Sequence, residues 1–375
     1  MGTLLTRATL AGSLAQVRHV VPVRPDAAPD LVRRVYAQVE RDFGMLAPPL
    51  ILHSPAPESL AASWLMLRES LLASGAVPRR AKELAATAVS IGNACPYCVE
   101  VHKATLDSLT RGRYAAEIAA DRLAGIADPD LRRIAEWART SGRREEVASR
   151  GVPLPAGEGG ELTATAVTFH YLNRMVNVFL GESPLPPGVP VRARRGMMRL
   201  FGLVMGGVAQ KTAEPGASLD LLAAAPAPED LAWAADVPHL REAFARAVAV
   251  VEEAGRRSVP EPVRELVTAA LAGWNGDPPG PGRAWAAEAV SALPAAHRAA
   301  GRLALLTALA SYQVDQGVVD EYRRAEPDDR ALVELTSWAS LAAARRIGSW
   351  ARPTPAAPPA PTRDLTMIPI ERTAR

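Results

Sequence analysis

Gly92-Asn93-Ala94-Cys95-Pro96-Tyr97-Cys98-Val99-Glu100-Val101-His102 contains both cysteines of this 375-residue chain. Two cysteines placed at random in so long a chain rarely fall three apart, so the spacing points to chemistry. In a reducing compartment such a pair serves redox or metal chemistry more often than a structural disulfide. Gly92-Asn93 ends one helix and Pro96 suits the first turn of the next. The thiols therefore stand at a helix N-terminus, where free N–H groups and the helix dipole favour thiolate. Cys95, Cys98 and His102 then fall at i, i+3 and i+7, on one face. A histidine four residues beyond a thiol can take its proton, directly or through a water.

Working outward, Arg79–Ile91 reads as an amphipathic helix carrying Glu83, twelve residues before Cys95. Folded back as an αα-hairpin, it brings that carboxylate to His102, as the orienting member of a nucleophile–base–orienter chain. Apolar residues at i, i+3, i+4 and i+7 also predict helices over Leu60–Ser74, Asp121–Ser141, Glu161–Leu180, His239–Gly255, Pro262–Gly273 and Arg302–Tyr322. No strand-like alternation runs beyond a few residues, so the chain is expected to be all-α. Pro/Gly clusters at 47–49, 151–160, 183–190, 277–282 and 352–361 punctuate it.

Glu83, the Cys95/Cys98 pair and His102 together resemble the E-x11-CxxC-x3-H signature of the AhpD-like alkylhydroperoxidases, in the carboxymuconolactone decarboxylase superfamily. The resemblance covers roughly 46–184, including the helix with Phe169-His170-Tyr171-Leu172-Asn173-Arg174-Met175-Val176-Asn177. It implies an AhpD-like helical bundle, usually homo-oligomeric. It also implies that Glu83 and His102 activate Cys98 to attack a peroxide, and that Cys95 resolves the sulfenic acid as a Cys95–Cys98 disulfide. An external dithiol of lipoyl or thioredoxin type reduces that disulfide, and no other cofactor or metal is implied. Tyr97 stands where some alkylhydroperoxidases have a histidine, which bears on peroxidase efficiency. Tyr97, His170, Asn173 and Arg174 are further candidates for lining the pocket over Cys98. His19, His53, His239 and His297 have no partners at metal spacing and read as surface residues; Trp64 reads as core, and Asp128-Pro129-Asp130 as a helix cap.

The rest of the chain echoes this first part. Leu60–Leu84 registers on Leu240–Leu266 through matching Val77-Pro78 and Val259-Pro260 punctuation, and Leu162–Asn177 registers on Leu306–Asp320. A period above 100 residues reads as a duplicated domain. The second copy keeps Glu265 but has Asp277, Gly280 and Ala284 where the cysteines and histidine would fall, so it cannot run thiol chemistry. The expected organisation is an N-terminal extension (1–45), an active module (46–215), a degenerate module standing in for a second subunit (216–350) and a Pro-rich tail (351–375).

Composition limits the alternatives. Lys+Arg 43 against Asp+Glu 40 leaves +3, and only Lys82, Lys103 and Lys211 are lysines. The arginines are scattered beside acids, with no aromatic-interleaved basic stripe, so no nucleic-acid partner is expected. No apolar run is long enough to span a bilayer. The Ala8–Ala15 stretch lacks the basic flank and cleavage site of a signal peptide, so a cytoplasmic location is expected. Three rival readings use the same residues: a zinc site on Cys95, Cys98 and His102; a carboxymuconolactone-decarboxylase-like lyase, against which the cysteines argue; and a redox-sensing scaffold without turnover.

Overall fold

The computed structural model describes residues 2–112, 114, 117–118, 120–185 and 189–351, and among these there is no β-sheet. The chain is all-α. The Pro-rich tail, beyond Ala351, lies outside the described residues. Helices begin where the sequence supplies a start signal. Pro57, Pro96 and Pro129 each occupy a first helical turn, where their missing N–H costs nothing. Asp128 caps the last of these by accepting from Asp130 N and Leu131 N, as expected.

The longer helices of the first half are α1 (Gly2–Gln16), α2 (Asp30–Asp42), α3 (Pro57–Leu67, prolonged by a π turn over Arg68–Leu72), α4 (Arg79–Gly92), α5 (Pro96–Thr110), α6 (Pro129–Thr140), α7 (Ala156–Phe179) and α8 (Val191–Ala209). The second half has α9 (Pro238–Ser258), α10 (Glu261–Gly273), α11 (Arg298–Ala310), α12 (Gln316–Arg323) and α13 (Asp329–Gly348). Two expected helices are corrected. Asp121–Ser141 begins only at Pro129, after a 3-10 turn at Leu123–Gly125. Arg302–Tyr322 is broken between Ala310 and Gln316, where Asp315 caps a new helix through Val318 N.

The halves meet through α3 on α9 and α7 on α13. One continuous hydrophobic core runs from Val20 to Ala351 across both, with Trp64 fully buried in it, as expected. The two long seam helices are tied down alike. Glu161 on α7 accepts from Ala76 N (2.8 Å) and Val77 N (3.3 Å) and pairs with buried Lys82 at 3.0 Å. A Cβ on Gly75 would lie 2.2 Å from that carboxylate, which explains a glycine there. Glu334 on α13 likewise takes Ser258 Oγ and Arg257, just ahead of Val259-Pro260.

Not every histidine is where the sequence suggested. His53 is fully buried, with Nε2 2.9 Å from the Tyr171 hydroxyl, which also contacts Ser337 Oγ at 2.7 Å. Burial pushes it down to about 3, so it stays neutral. His19, His239 and His297 are half-buried, not surface residues.

Candidate active site

The turn between α4 and α5 sets up the site. Asn93 closes α4 and Ala94 takes a left-handed φ of 49°, unusual for a residue with a Cβ. Cys95 N donates to Ser90 O (3.0 Å), and Cys95 becomes the N-cap of α5. Asn93 does most to hold this strained turn. Its amide donates to Asn173 Oδ1 (2.9 Å) and meets His170 Nδ1 at 3.0 Å, while Asn177 Nδ2 donates to Asn93 O (3.2 Å).

Folding α4 against α5 brings Glu83 Oε2 to 2.7 Å from His102 Nδ1. The other carboxylate oxygen takes Arg79 at 2.7 Å. Burial alone would push Glu83 up; Arg79 and His102 outweigh it and hold the carboxyl below its usual range. Glu83 is therefore an anion at neutral pH, hydrogen-bonded to His102 through Nδ1. Phe169 meets the imidazole edge-on, centroids 4.5 Å apart, and limits its rotation.

Both thiols are buried, but they differ in what they face. Cys98, His102 and Tyr97 line a cavity of about 330 Å³ whose other walls include Met45, Phe169, Leu172 and Phe201; Cys95 is not among its lining residues. Burial pushes the Cys95 thiol up, and its hydrogen bond with Cys98 keeps the proton on Cys95. Tyr97 is turned inward and donates to Gln16 Oε1 (3.1 Å), so α1 closes one side of the cavity.

His170, Asn173 and Arg174 do not line this cavity, contrary to expectation. They lie on the far side of the cysteine turn. Asn173 contacts the Cys95 thiol and donates to Ser90 Oγ (3.0 Å). Ser141 Oγ donates to Ala138 O, so it accepts from His170 Nε2 at 2.9 Å; Nδ1 is left to accept from Asn93. Arg174 reaches Ala308 O across the seam (2.9 Å). His170 and Asn173 position the turn, and Arg174 ties α7 to α11.

The sequence reading missed Arg79, Phe169 and Gln16. Arg79 was findable, one helical turn before Glu83. In the second half Glu265 is exposed, Gly280 has a φ of 131° and Ala284 opens a short helix, so nothing there repeats the relay. Among the described residues no three His, Cys, Asp or Glu side chains form a metal-ligand group. No helix is long and apolar enough to cross a membrane.

The carboxymuconolactone decarboxylase family profile matches residues 58–139, which hold the whole Glu83–Cys95–Cys98–His102 set. The chain belongs to that family. It is 38% identical over 336 residues to alkyl hydroperoxide reductase Rv2159c of Mycobacterium tuberculosis, covering 89% of this chain and 94% of the relative. The AhpD core of a peroxidase-related protein from Ralstonia eutropha JMP134 aligns with half of the chain (97% of its own) at 21% identity and TM-score 0.40.

Proposed function

We propose that the chain is a thiol-dependent peroxidase for organic hydroperoxides, with Cys98 as attacking thiol and Cys95 as resolving thiol. The observation that carries this reading is the cavity: Cys98 opens onto it beside a His102 already bonded to Glu83, while Cys95 stays behind. His102 takes the Cys98 proton. The thiolate attacks the terminal oxygen of ROOH, the O–O bond breaks, and the departing RO⁻ takes the proton from His102 as ROH. Cys98 is now a sulfenic acid. The Cys95 sulfur attacks it, the S–S bond forms, and hydroxide leaves with the Cys95 proton as water. An external dithiol of lipoyl or thioredoxin type returns the two electrons. Cys98 is only 4% exposed, which favours a slender lipoyl arm as the reductant. The match to a relative named for alkyl hydroperoxide reduction supports the same reaction class.

The second half, in this reading, is a degenerate copy that covers α3 and α7. The matched roles of Glu161 and Glu334, each opening a Glu-Leu-Thr, favour α13 as the counterpart of α7, not the 306–320 register.

The test is turnover of an organic hydroperoxide with dihydrolipoamide. Cys98→Ser should abolish the first reaction with peroxide. Cys95→Ser should consume about one equivalent and stall as a sulfenic acid that a dimedone-type probe traps. Reaction of Cys98→Ser in place of Cys95→Ser reverses the assignment. Stoichiometric oxidation of the wild type without turnover replaces the enzyme with a redox sensor.

A further inference from the structure

Behind the cysteine turn, where the two halves meet, lies a second cavity of about 240 Å³. Its described lining includes three arginines and no carboxylate. Arg139 is occupied by Asp121 at 3.0 Å. Arg143 is exposed at the rim, with no acidic partner among the described residues.

Arg174 is the unusual one. It is 6% exposed, and no acidic side chain among the described residues pairs with it. Its Nε donates to Ala308 O (2.9 Å) and its Nη1 to His170 O (2.7 Å). A guanidinium has five N–H groups, so three remain. The Trp274 ring, 6.0 Å from its Cζ, offers a π face but no charge. Burial draws Arg174 down to about 10, so it remains a cation at neutral pH. The neighbouring His170 is kept neutral by burial and by Arg174 itself. Buried charges are ordinarily paired, and an unpaired one facing a cavity calls for a counter-ion.

We propose that this cavity is a binding site for a small oxyanion, a carboxylate or a phosphate, held by Arg174 from within and Arg143 at the rim. Ser311 Oγ already accepts from Asn177 Nδ2 (3.1 Å), which leaves its hydroxyl proton for the ligand. Trp274, Leu309 and Ile347 supply apolar wall for a short carbon skeleton. The proposal goes beyond the peroxidase reading, because none of these three ligand-facing residues lines the thiol cavity; it stands or falls in a Cys98→Ser chain as in the wild type.

The experiment titrates the full chain separately with inorganic phosphate and with butyrate, at ionic strength held constant with chloride. Calorimetry and tryptophan fluorescence, to which Trp274 contributes, read the binding. The expected result is saturable, one-to-one binding of at least one probe. It should weaken roughly tenfold or more in Arg174→Gln and severalfold in Arg143→Gln, with no change in Arg199→Gln, an exposed arginine on α8. Binding of phosphate alone assigns a phosphorylated ligand, and of butyrate alone a carboxylate. Should Arg174→Gln fail to fold, the exposed Arg143→Gln decides. Absence of saturable binding by both probes overturns the proposal, and so does affinity unchanged by the arginine substitutions.

Discussion

At His102 one ring joins two environments: Nδ1 is fixed by a buried carboxylate, and the opposite side faces an apolar cavity shared with Cys98. Spacing alone led to Glu83, Cys95, Cys98 and His102, because a hairpin of two helices leaves few other ways to place them. It did not distinguish the two thiols' surroundings, which depend on α1 and α7. His102→Ala should slow the first reaction with peroxide by about 10²-fold, as loss of a general base does. Glu83→Gln should slow it less, since the imidazole remains. That variant also carries a pH signature. The folded-state pKa of Glu83 lies below its ordinary 4.5, so its contribution to stability is present in full above that ordinary value. The contribution disappears as pH falls from there through the lowered folded value. Urea midpoints measured from pH 6 to pH 3 should therefore fall more steeply for wild type than for Glu83→Gln. Parallel curves would mean that the Arg79–Glu83–His102 group adds no net stability.

Among the elements, α4 and α5 were legible because their punctuation is local: Pro78 and Pro96 start them, and Gly92-Asn93 ends the first. For α7 the sequence named the right helix and the wrong side. Nearly every residue from Gly159 to Phe179 is buried, and a helix buried all round packs its polar residues against neighbours that its apolar spacing does not name. His170, Asn173 and Arg174 were thus assigned to the thiol cavity, whereas His170 and Asn173 brace the turn behind it and Arg174 reaches across the seam. The role of α1 was not legible at all, because a wall contributed from 81 residues away leaves no local pattern. The packing of α8 on α5 allows a direct test. A Cβ on Gly202 would stand 2.4 Å from Ala104 O, backbone that cannot swing aside. Gly202→Ala should push α8 outward, carry Phe201 out of the cavity wall and cost about 1–3 kcal/mol. Chemical denaturation reads the stability, and KM for a bulky hydroperoxide should rise more than kcat falls. An unchanged KM would show that α8 does not shape the cavity.

Over the whole molecule, the continuous core makes two halves into one folding unit. Trp64 and Trp137 report from the first half, and Trp233, Trp274, Trp285, Trp338 and Trp350 from the second. Heat or urea should unfold the chain in a single step, with tryptophan fluorescence and far-ultraviolet circular dichroism following the same curve. A fragment ending at residue 215 would expose the faces of α3 and α7 and should aggregate. Two resolved transitions, or a soluble fragment with a native spectrum, would show that the halves are independent. The shared core also sets how the two halves can diverge. On the proposed peroxidase reading, substitutions in the first half are screened by a reaction, whereas α9 and α13 are felt at the cysteines chiefly through the volume they fill. Apart from Ala308 O, Ser311 and Ser337, which hydrogen-bond to α7, the seam of the second half is held to shape alone: it is a mould for the half that carries the thiols.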